Sequence, residues 1–155
     1  MERLEKNLYT GVKWVTILLF LGMVLLCALQ VICRYVLKVS LSFTEELARY
    51  LFIWTTFLGS AMAVTKNKHV SMDLLVDAFP EKIGSLIHKA VAFFLAIMYL
   101  VLIYSGIRVM QKTMDQTSPA MNTPMGLVYM AVPVSMAIMI IFQIGGYLGR
   151  KEKNL

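Results

Sequence analysis

The chain has 155 residues, 59% of them hydrophobic and 15% charged, with two cysteines and a formal net charge of +6. That much apolar surface exceeds what a soluble domain of this size can bury. The charges sit at the edges of apolar runs, which argues against a nucleic-acid footprint.

Four runs hold no charge, at 14–33, 50–65, 90–107 and 123–149. A helix crossing roughly 30 Å of hydrocarbon needs about 20 residues, so the second and third runs borrow flanking residues. The reading is an all-α integral membrane protein, a four-transmembrane-helix bundle in a lipid bilayer. One membrane domain spans 1–155, with helices over 9–36, 44–64, 80–112 and 125–148.

The charged start followed by an apolar run is shaped like a secretory leader. The run is too long and no small-x-small site follows, so no cleavage is expected. Leu26 before Cys27 is too bulky for a lipoprotein site. Cys27 and Cys33 are six positions apart, about 240° around a helix, and read as packing residues.

Four helices place both termini and the middle loop on one side. That side holds ten Lys and Arg, from Arg3 to Lys153, and the other holds five: Arg34, Lys38, Arg49, Arg108 and Lys112. The positive-inside rule then predicts both termini in the cytoplasm.

Helix two opens on Ser42-Phe43-Thr44-Glu45-Glu46-Leu47-Ala48-Arg49. Ser42 or Thr44 can cap it, and acids in the first turn suit the positive end of the helix dipole. It stops at Thr65-Lys66-Asn67-Lys68-His69, a cytoplasmic-edge group that Asp73 joins. Residues 70–79 have two readings: a short amphipathic helix in the interface plane, with Asp73 and Asp77 on one face, or an irregular loop. Pro80 and Glu81 suit a helix start, and 80–112 would be about 50 Å long. The loop 113–124 carries Asp115, Pro119 and Pro124, and Pro133 is expected to kink helix four by freeing the Tyr129 carbonyl.

No Asp, Glu, Lys, Arg or His falls in the middle third of any predicted helix. A lone proton-coupled carrier needs a titratable group on its path, and a small multidrug exporter would put a carboxylate mid-helix in helix one. A haem subunit needs axial ligands within the bundle, but His69 and His88 lie near the cytoplasmic edge. No metal cluster, nucleophile–base pair or phosphate loop appears, so no catalytic, cofactor or metal residue is assigned and the chain does not read as an enzyme.

The remaining constellation is the mouth of helix two. Arg49 is four residues from Glu45 and three from Glu46, and Arg34 ends helix one on the same side. Arg34, Glu45, Glu46 and Arg49 read either as a structural ion cluster or as a docking surface for an outer partner. Glu46, Arg49, Ile53, Thr56, Ser60 and Ala63 follow a 3-4 spacing, and Gly59 with Ala63 makes a small-x-x-x-small pair. In lipid such residues mark helix–helix contact. Trp54, deep in the span, calls for a protein neighbour and an acceptor for its N–H.

Arg34-Tyr35, the run from Phe43 to Trp54, Phe57-Leu58-Gly59, and Lys66-Asn67-Lys68-His69-Val70 with Asp73 together resemble the small membrane subunit of TRAP transporters, the tripartite ATP-independent periplasmic systems. Phe43 stands where a Trp is common in the family. The resemblance covers nearly the whole chain and implies partners: a large permease subunit that holds substrate and sodium, and a periplasmic substrate-binding protein. It implies uptake of organic acids, of the sialic acid or C4-dicarboxylate class, with no substrate site or cofactor in this chain. It also implies a scaffold in a bacterial inner membrane, and the spacing on helix two makes Ile53, Trp54, Thr56, Gly59, Ser60 and Ala63 the expected face toward the large subunit. A membrane anchor for a redox complex is the main alternative, and a self-assembling bundle without transport is a third.

Overall fold

The computed structural model describes residues 2–39, 41–66 and 81–153. Its helices are α1 (Glu2–Tyr35), α2 (Ser42–Lys66), α3 (Glu81–Lys112), α4 (Met125–Tyr129) and α5 (Ala131–Lys153). Among the described residues four spans are long and apolar enough to cross a membrane: Glu5–Tyr35, Ser42–Thr65, Ala90–Lys112 and Met125–Gly145. The segment 70–79, with Lys68, His69 and Asp73, lies outside the described residues.

The helix ends differ from the sequence reading in ways the residues explain. Helix α1 starts at Glu2 rather than at residue 9, because 2–8 are mostly strong helix formers. Helix α2 starts at Ser42, and Thr44 does not cap it. The Thr44 hydroxyl donates back to the Leu41 carbonyl at 2.7 Å. The chain leaves α1 through Lys38 in the left-handed region, φ 54°. The expected fourth helix is two pieces. Pro133 has no N–H for the Tyr129 carbonyl, and a turn at Met130 separates the single-turn α4 from α5.

Helix α1 packs along α2, while α2 and α3 both pack on α5. Helix α1 meets α5 more sparsely, where Tyr9 and Phe142 place their ring centroids 6.2 Å apart. The buried core joins α2, α3 and α5 through Ala61, Tyr99, Met136 and Met139.

Lipid tails are as apolar as leucine, so close approach and dispersion hold such helices together rather than water expulsion. Gly106 shows how close: a methyl there would lie 2.9 Å from Pro133 Cδ. At Gly126 it would lie 2.7 Å from the Met110 carbonyl oxygen and 2.7 Å from Met114 Sδ. Gln143 adds a polar pin, donating to the Ala92 carbonyl at 2.9 Å.

The outward faces of α1 and α3 are bulky and apolar. Leu18, Leu21, Leu25 and Leu29 are exposed on α1, and Phe93, Ile97, Leu100 and Val101 on α3.

Candidate functional site

The α1–α2 and α3–α4 connections meet at one end of the bundle, and Glu46 is the residue that joins the second of them to α2. It lies one turn into α2, only 8% exposed. Its Oε2 accepts from the backbone N–H of Ala120 at 2.9 Å and of Met121 at 3.1 Å. Its Oε1 accepts from the Tyr50 hydroxyl, one turn further along α2. Tyr50 also approaches Met125 Sδ at 3.4 Å. A carboxylate offers about four acceptor positions, and consecutive loop amides are a matched donor pair.

The loop that Glu46 holds is well built. Ser118, 1% exposed, receives the Thr123 N–H on Oγ at 3.2 Å, and its own N–H reaches the Thr123 carbonyl at 3.0 Å. Asn122 turns the chain at φ 51°, a region that Asn tolerates better than most residues. Thr117 pairs with Pro124 across the loop. Pro119, Ala120, Met121 and Asn122 stay exposed at its tip.

This geometry divides the predicted ion cluster. Glu45 pairs with Arg49 at 3.9 Å, and both side chains are more than 60% exposed. Gln30 on α1 donates to Glu45 at 3.3 Å, linking α1 to α2 in place of Arg34. Arg34 is exposed and joins no ion pair among the described residues. Glu46 turns to the loop and away from Arg49. The sequence pattern did not single out Tyr50, Ser118 or the loop amides. Asn122 between Pro119 and Pro124 was the available signal of a tight turn, but nothing local named the carboxylate it meets.

The polar stripe on α2 is also re-cut. Beyond Ser42 and Phe43 at its start, the exposed residues of α2 are Glu45, Arg49, Phe52, Thr56, Ser60 and Ala63, in a 3-4 spacing. Glu46 leaves the stripe and Phe52 enters it. Ile53 and Gly59 are half-buried on its two flanks, and a methyl at Gly59 would meet nothing within 4 Å. Trp54 is half-buried and, at about 100° per residue, about 160° around the helix from Thr56. It therefore does not share a face with Thr56, Ser60 and Ala63. The Thr56 and Ser60 hydroxyls each donate at 2.8 Å to the carbonyl four residues back, so both are satisfied without a neighbour. From Thr56 to Ala63 this outward face is small, unlike those of α1 and α3.

Among the described residues no group of His, Cys, Asp and Glu could hold a metal ion. Cys27 and Cys33 are both free.

Residues 12–150 match the family model for the DctQ component of tripartite ATP-independent periplasmic transporters. The chain belongs to the DctQ family of TRAP transporter small subunits. A Haemophilus influenzae protein named as a TRAP transporter small permease is 36% identical over 70% of this chain and 68% of its own length. The ectoine TRAP transporter small permease TeaB of Halomonas elongata is 28% identical over 99% of this chain and 86% of its own. The sialic acid TRAP transporter permease SiaT of Haemophilus influenzae is 30% identical over 84% of this chain, but the match takes up only 21% of SiaT. This DctQ-family chain is thus a multi-pass membrane component of a transporter and not an enzyme.

Proposed function

We propose that this subunit is the scaffold of a sodium-coupled TRAP importer for organic acids in a bacterial inner membrane, with both termini cytoplasmic. The small face of α2 at Thr56, Ser60 and Ala63 supports this most directly. A helix facing lipid gains nothing from small and hydroxyl residues, whereas a helix facing another helix gains close approach. A large permease subunit is the partner that fits. Relatives such as SiaT, in which this chain matches only a fraction of the length, point the same way.

In this reading the loop end faces the periplasm. Glu46 holds the loop 113–124 as a firm platform, and the exposed Glu45–Arg49 pair and Arg34 line it for a substrate-binding protein. Substrate choice belongs to the other subunits. Relatives are named for sialic acid and for ectoine, so the family as a whole is not tied to one substrate. Sodium coupling likewise belongs to the large subunit, since the described spans hold no carboxylate at mid-depth.

Uptake into vesicles carrying the complete transporter tests the platform. Arg49→Glu is expected to slow uptake while leaving the order of preferred substrates unchanged. Wild-type uptake by that variant would remove the docking role.

A further inference from the structure

Arg108 is the first charge after the apolar run of α3, and it does not extend into water unaided. Its Nη2 donates to the Tyr104 hydroxyl at 2.6 Å, and its Cζ stands 5.1 Å from the centre of the same ring. Helical side chains lean toward the helix N-terminus, so this contact draws the guanidinium back toward the membrane boundary. Lys112 lies one turn further along the same face. Tyr104 is 61% exposed, and Arg108 and Lys112 are exposed as well.

Among the described residues neither cation has a carboxylate partner. Among the described residues the ion pair is Glu45–Arg49, on α2. Asp115, three residues beyond Lys112, joins no ion pair. A guanidinium carries five N–H donors in a planar fork, and Tyr104 takes one of them. The exposed residues below on this face are bulky and apolar: Phe93, Ile97, Leu100 and Val101. This is the composition of a lipid-facing surface, in contrast to the small face of α2.

We propose that Tyr104, Arg108 and Lys112 bind the headgroup phosphate of a membrane phospholipid, with preference for a net-anionic lipid. Tyr104 fixes the guanidinium at headgroup depth, Arg108 supplies the fork that matches phosphate oxygens, and Lys112 adds a second positive charge. The apolar residues beneath accept the acyl chains. The inference rests on the reading that the large subunit packs on α2, which leaves this face of α3 to lipid.

The test is lipid selectivity of the full chain in phosphatidylcholine bilayers. Spin-labelled phosphatidylglycerol and phosphatidylcholine report which lipid is held at the protein surface. The wild type should prefer phosphatidylglycerol, and Arg108→Gln and Lys112→Gln should each lower that preference about fivefold. Arg34→Gln, at the same end but on α1, should leave it unchanged. An equal loss from Arg34→Gln would reveal diffuse attraction and overturn the site. So would unchanged selectivity in both α3 variants. Both α3 substitutions are at exposed positions, and matching helical circular dichroism confirms that each variant folds.

Discussion

Glu46 and Ala120 are 74 residues apart in sequence, yet the carboxylate of one accepts the backbone N–H of the other at 2.9 Å. With the Met121 N–H and the Tyr50 hydroxyl, this contact ties the α3–α4 loop to the first turns of α2. Glu46→Ala is expected to leave both amides without their acceptor and to cost about 2 kcal/mol locally. Amide hydrogen exchange at Ala120 and Met121 should then rise about 30-fold, the factor equivalent to that energy. Exchange that stays at the wild-type rate would show that the loop holds itself.

The close approaches of α3 to α4 carry a second expectation. Gly126→Ala drives a methyl to 2.7 Å from the Met110 carbonyl oxygen, which is backbone and yields little. Overpacking of this kind costs about 1–3 kcal/mol. Gly59→Ala meets nothing within 4 Å and removes a helix-interior glycine, so its own fold should gain up to about 1 kcal/mol. Thermal unfolding in detergent should separate the two substitutions in sign.

Thr56→Leu with Ser60→Leu tests the α2 face. Both positions are exposed and their hydroxyls bond only within α2, so unfolding of the isolated subunit should shift by less than about 0.5 kcal/mol. Recovery of the large permease subunit on co-purification should fall at least tenfold, since two added isobutyl groups prevent close approach. Full recovery would place the partner elsewhere.

The Glu45–Arg49 pair should matter little to the fold itself. Both side chains are mostly exposed, and such pairs contribute under about 1 kcal/mol. Arg49→Gln is therefore expected to leave the unfolding midpoint of the subunit nearly unchanged. A large loss of stability would mean that Arg49 is a structural residue rather than a surface one.

The four membrane-crossing segments, and the absence of a charge at their centre, were legible in the residues alone. Lipid demands long uncharged stretches, and such stretches are a local property of sequence. The family was legible for a related reason, because the run from Phe43 to Trp54 and the basic stop after Thr65 are continuous motifs. The direction in which Glu46 points was not legible. At three residues from Arg49 it looked like half of a surface ion pair, and only the fold brought two loop amides to it from 74 residues away. Phe52 took the place of Glu46 on the outward stripe of α2 for the same reason: spacing shows which residues share a face, but not which face the rest of the chain covers. That choice rests on packing α2 between α1 and α5, with α3 on α5 beyond, and packing is a sum over distant contacts that no local pattern encodes.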